Sequence, residues 1–170
     1  MKLKIKEIAV FGMLGALMYA SKMLMEIFPN IHLIGVFTVA ATAVYRKKAL
    51  YPIYTFVMLC GLFSGFAAWW LPYLYIWTVL WGMTMLVPQG ISKQAQPIVY
   101  MMICAFHGLM YGTLYAPVQA LLFGLNFEGM MSWIAAGLPW DFVHAVGNFF
   151  SGILIVPIIS IIKTAEKNTR

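Results

Sequence analysis

The chain has 170 residues, 63% of them hydrophobic and only 9% charged, with a formal net charge of +6. About a quarter of the residues in an ordinary soluble domain are charged, and a small globule cannot hide this much apolar surface from water. Composition therefore excludes a water-soluble fold and points to an all-α integral membrane protein, a single domain over residues 1–170 with no room for an added soluble one.

Lys2, Lys4 and Lys6 precede an apolar run that reaches Phe28. The run is longer than the apolar core of a signal peptide, so a retained first helix over Ile5–Phe28 is expected. Pro29-Asn30 opens a short second helix over Ile31–Tyr45, which Arg46-Lys47-Lys48 closes. It rises only about 22 Å against a hydrocarbon core of roughly 30 Å, so it should sit tilted among protein or be partly irregular. The third helix is expected over Ala49–Ala68 and the fourth over Tyr73–Pro88, bracketed by Pro72 and Pro88. The fifth runs over Gln96–Phe123 with Pro117 as a candidate kink. Gly124 to Leu138 reads as a break holding an interfacial turn or short helix at Met130–Ala136, and the sixth helix follows over Pro139–Lys163.

With six spans, Lys2, Lys4, Lys6, Arg46, Lys47, Lys48, Lys93, Lys163, Lys167 and Arg170 all fall on one side of the membrane. The opposite connections, around Pro29, Trp69–Pro72 and Gly124–Leu138, hold no Lys or Arg. The positive-inside rule then predicts a six-transmembrane-helix bundle in the cell (plasma) membrane with both termini cytoplasmic. An anionic inner leaflet accounts for the basic charge, and no nucleic-acid partner is implied. Cys60 and Cys104 stand alone in apolar segments, so neither a disulfide nor a metal site is expected, and nothing calls for a cofactor.

Several polar residues are out of place in such a chain. Lys22 and Glu26 sit toward the outer part of the first helix, one turn apart, where they either pair and reach for the interface or face an interior cavity. Asp141, His144 and Asn148 recur at i, i+3, i+7 and make one polar stripe on an apolar helix, which should point inward. Asp141 would also suit the first turn behind Pro139, favoured by the helix dipole. Asn30 and His32 open the second helix at the same level. Tyr73, Trp77 and Trp81 follow at i, i+4, i+8, and Trp69, Trp70, Tyr75, Trp133 and Trp140 add to the outer aromatics. Some of these form an interfacial belt, and part of the stripe offers a surface on which a planar ligand can stack. His107, mid-chain in the fifth helix, reads as a hydrogen-bonded packing residue. Gly12, Ala16 and Ala20 form a small-residue ladder for close helix approach, either within the chain or to a separate protein.

Taken together, these features resemble the substrate-binding S-components of energy-coupling factor vitamin transporters. The likeness covers nearly the whole chain. Its most specific part is Gly-Leu-Pro-Trp-Asp-Phe-Val-His-Ala-Val-Gly-Asn at 137–148, joined by the ladder and by Pro29-Asn30 before a short helix. The resemblance implies a subunit that captures a small heterocyclic vitamin or related micronutrient near the outer face. Asp141, His144 and Asn148 would bind it, with Lys22, Glu26, Asn30, His32, Trp77 and Trp133 as further candidates. Gly12, Ala16 and Ala20 would dock a transmembrane coupling subunit, and two separate ATPase subunits would drive the cycle. The chain itself holds no GxxxxGK[ST] phosphate loop and no catalytic residues are assigned. The alternatives are a stand-alone channel or carrier, and an intramembrane enzyme using Asp141 and His144 as an acid–base pair.

Overall fold

Apolar runs punctuated by glycine, proline and charge fold into helices throughout the computed structural model, which describes residues 3–27 and 32–168. The helices are α1 Ile5–Leu24, α2 Ile34–Tyr45, α3 Leu50–Ser64, α4 Tyr73–Met85, α5 Gln96–Leu109, α6 Tyr111–Phe123, α7 Phe127–Ser151 and α8 Ile155–Asn168. Short 3-10 turns at Arg46–Ala49, Ala68–Trp70 and Gly152–Leu154 complete the backbone, and the described residues contain no strand. Three stretches are long and apolar enough to cross a membrane: Ile5–Leu24 with 20 residues, Gln96–Phe123 with 28 and Phe127–Lys167 with 41.

The exterior is as oily as the interior. Phe63 is 71% exposed and Phe150 66%, with Leu121, Phe142 and Ile161 alongside them. Such a continuous apolar surface suits lipid rather than water. α2 is the reverse case, with Ile34, Val36, Val39 and Ala40 fully buried. It packs against α8, α4 and α1. Its 12 residues rise only about 18 Å. A helix walled by protein need not match the bilayer thickness, which is why a short one is tolerated here.

Two expectations are corrected. The helix expected over Pro139–Lys163 instead starts at Phe127 and divides at Gly152–Leu154 into α7 and α8, so the expected break at Gly124–Leu138 is mostly helix and Pro139 lies inside α7. Asn126 caps this start, its side-chain oxygen accepting from the Gly129 N–H at 2.8 Å, with Glu128 in the first turn. The reversal before it is made at Gly124, whose φ of 65° is left-handed and closes α6. The expected fifth helix divides at Met110 into α5 and α6, while Pro117 lies within α6.

The ladder on α1 also resolves. Gly15, not Gly12, lets α1 approach α3: a Cβ there would lie 2.6 Å from Thr55. A Cβ on Gly12 would meet nothing, and Ala16 and Ala20 are exposed. The Gly12, Ala16, Ala20 face is therefore not used in packing this chain.

Basic residues gather at one end of the bundle. Arg46 donates to the carbonyls of Met85 at 2.7 Å and Val87 at 3.4 Å, closing the end of α4 against α2. Trp81 donates its indole N–H to the Arg46 carbonyl at 3.0 Å. Lys48 pairs with Glu7 across α1 and the Arg46–Ala49 turn. Lys4, Lys6 and Glu166 line the same small cleft of about 270 Å³, and Lys163 lies with Arg46 and Gln96 in its neighbour.

Candidate functional site

The polar stripe of α7 does face inward: Asp141 is 5% exposed, His144 3% and Asn148 1%. The three residues take different partners. The Asp141 carboxylate accepts the Gly112 N–H at 3.0 and 3.1 Å. Gly112 is the second residue of α6, where backbone N–H groups have no partner within the helix. Asp141 thus caps α6, not its own helix as expected, because it lies far from the start of α7. A Cβ at Gly112 would come within 2.4 Å of that carboxylate, so only glycine permits the approach.

His144, one turn on, joins a closed circuit of five rings. Its imidazole meets His32 edge-on with centroids 4.8 Å apart, and His32 meets Trp77 at 5.9 Å. Trp77 lies 5.7 Å from His107, His107 lies 6.3 Å from Tyr111, and Tyr111 returns to His144 at 4.8 Å. The circuit draws on the segment before α2 and on α4, α5, α6 and α7. Tyr73 extends the circuit, packing edge-on against Trp77 at 5.6 Å. Enclosure by these rings pulls the His32 imidazole, outside the spanning stretches, down from its usual range to about 4.

Asn148 lies one turn deeper on α7. Its Nδ2 donates to the Cys104 carbonyl at 3.2 Å across the α5–α7 contact. A Cβ on Gly108 would sit 2.8 Å from that nitrogen and 3.1 Å from the α7 backbone, so glycine sets how closely the two helices meet.

The distinguishing feature is what these groups leave unbonded. Seven buried side-chain nitrogen or oxygen atoms have no hydrogen-bond partner among the described residues. Five of them belong here: His32 Nδ1, Trp77 Nε1, His107 Nδ1, His144 Nε2 and Asn148 Oδ1. The other two, Thr38 Oγ1 and Tyr45 Oη, stand apart on α2, the latter beside Glu166. Buried polar atoms are nearly always bonded, because leaving one unmade costs about 1–3 kcal/mol. Four of the five sit on rings of the circuit, and the fifth is on Asn148, one turn along α7 from His144.

The remaining candidates lie around this circuit or away from it. Lys22 and Glu26 approach to 3.7 Å at the end of α1, with Glu26 largely exposed. They form the i,i+4 pair expected, close enough for the Lys22 charge to bear on His32. Trp133 is half-buried on α7, two helical turns ahead of Asp141. Asn30 lies outside the described residues. Trp81 leaves the aromatic stripe for the basic end, as its bond to Arg46 shows. Several aromatics nearby act as staples: Trp70 donates to the Val57 carbonyl at 2.8 Å, Tyr54 to the Leu74 carbonyl at 2.8 Å, and Tyr115 to the Trp69 carbonyl.

His107 does make a packing bond, its Nε2 lying 3.0 Å from the Ile76 carbonyl, and it also belongs to the circuit. Tyr111 was not among the expected site residues. Its signal was the i,i+4 spacing from His107, which carries both rings on one face across the junction of α5 and α6. No group of three or more His, Cys, Asp or Glu side chains among the described residues is placed to hold a metal ion. Compared with known proteins, the chain matches no family model, no curated protein and no solved structure.

Proposed function

We propose that this chain is a membrane-embedded solute-binding subunit that takes a small heterocyclic micronutrient into the His32–Trp77–His107–Tyr111–His144 circuit. It passes that solute to a separate ATP-driven coupling module, as the resemblance to energy-coupling factor S-components implies. The observation that carries the reading is the set of five polar atoms without a partner among the described residues, four on rings of the circuit and one on Asn148. Aromatic surface with a few convergent polar groups is the usual make-up of a small-molecule site.

In this reading the bundle has six membrane-crossing units, with α5–α6 and α7–α8 each acting as one, in the plasma membrane with both termini cytoplasmic. The gathering of Lys4, Lys48, Arg46 and Lys163 at one end supports that orientation. His32 precedes α2 and Arg46 follows it, so the circuit lies about 18 Å from the basic end, toward the outer face. The unused Gly12, Ala16, Ala20 face of α1 is the docking surface for the coupling subunit.

The enzyme alternative draws less support, since Asp141 is engaged by Gly112 while His144 faces the rings. The test is titration of the purified protein, without ATP, against a broad panel of water-soluble vitamins and their heteroaromatic precursors. One member should bind tightly. Failure to bind any would overturn the proposal.

A further inference from the structure

The hydrogen-bonding state of the circuit can be read atom by atom, and it restricts what can be bound. The carbonyl of Ile76 only accepts, so His107 Nε2, 3.0 Å away, carries the hydrogen. In the neutral ring Nδ1 is then a bare lone pair, and it is buried without a partner among the described residues. The same logic fixes Asn148: its amide nitrogen donates to the Cys104 carbonyl at 3.2 Å, which leaves Oδ1 as an unbonded acceptor. Trp77 Nε1 is a donor only. His32 Nδ1 and His144 Nε2 can take either role according to tautomer. The fixed part of the site is thus two acceptors and one donor.

The formal charges around it have partners of their own, and Lys22 alone is close enough to bear on a circuit member, His32. The Asp141 carboxylate is engaged by the Gly112 N–H. Lys22 and Glu26 satisfy each other at the end of α1. Trp77, His107, His144 and Asn148 are all at least nine-tenths buried. A charged ligand would lose its hydration there without a counter-ion, at a cost of several kcal/mol. An anion would also face two lone pairs.

We infer that the bound solute is an uncharged heteroaromatic ring bearing a primary carboxamide or an amino-lactam edge, the groupings that present two N–H donors beside one carbonyl acceptor. Trp77 donates to its carbonyl, while His107 Nδ1 and Asn148 Oδ1 accept its N–H groups. This inference rests on the solute-binding reading above and narrows it to one chemical class.

The test uses matched sets on the intact protein, by calorimetric titration. One set is nicotinamide, nicotinate, the ring-methylated 1-methylnicotinamide and the amide-methylated isomer, which place a neutral amide, an anion, a cation and a neutral amide with one N–H fewer on one ring. A second is guanine, pterin and their N-methylated derivatives, and the vitamin panel supplies the rest. The tightest binder should be a neutral amide or amino-lactam, its neutral amide- or lactam-N-methylated form should bind at least tenfold more weakly, and charged counterparts at least a hundredfold. A tightest binder carrying a carboxylate, a phosphate or a quaternary nitrogen would overturn this inference, as would a neutral binder indifferent to N-methylation, and both outcomes leave solute binding standing. No binding in any set would overturn solute binding itself, and this inference with it.

Discussion

The two ends of α2 hold polar groups in opposite ways. At its C-terminal end Arg46, Trp81, Lys48 and Glu7 each have a protein partner. Toward its N-terminal end four polar atoms on rings of the circuit, together with Asn148 Oδ1, have none among the described residues. Both ends are built from costly residues for an apolar chain, and the same physical penalty applies to each. At one end the fold has met that cost within itself except at Tyr45 Oη, which lies beside Glu166. At the other, among the described residues, it has not, and the proposed solute site rests on that difference.

Substitutions can break or sharpen this contrast. The largest effect is expected from Asn148→Ala, which removes a fixed acceptor at the circuit. Affinity for the bound solute should fall about 10- to 100-fold, the equivalent of one well-made buried hydrogen bond, as read by equilibrium titration. Unchanged affinity would remove Asn148 from the site. Gly112→Ala should act on stability instead, because its Cβ would crowd the Asp141 carboxylate. A loss of about 1–3 kcal/mol is expected in a detergent unfolding titration, with near-native affinity in the folded fraction.

Arg46→Ala removes the bonds to the Met85 and Val87 carbonyls. It should cost about 1–2 kcal/mol of stability and leave solute affinity within about twofold. An affinity loss as large as that of Asn148→Ala would erase the proposed division between the two ends. The smallest effect on the isolated protein is expected for Gly12→Leu, whose side chain enters open space on α1. Thermal stability and affinity should hardly move, whereas transport with the coupling module should be lost. Gly15→Leu, pressed against Thr55, should destabilise instead.

Much of this was legible in the sequence. The inward stripe at Asp141, His144 and Asn148 follows from spacing alone, because three polar residues on one face of an apolar helix have nowhere else to go. Shortness of α2 was readable between Pro29 and Arg46. The start of α7 was obscured because Gly129, Gly137 and Pro139 look like breakers, yet proline is tolerated inside membrane helices whose freed backbone groups find other partners. Asn126 with Glu128 after it was the overlooked start signal. Which helix Asp141 caps could not be read, since Gly112 is 29 positions away and only tertiary packing brings it close. The circuit itself is a tertiary object: it needs five separate segments, and spacing links only His107 to Tyr111.

The most direct test of the central claim is native mass spectrometry of gently purified protein, comparing the unaltered chain with Asn148→Ala. The account predicts a single small-molecule adduct on the former that is lost or strongly depleted on the latter. An unaltered chain that carries no adduct and gains none from cell extract, or an adduct retained in full by Asn148→Ala, would contradict it.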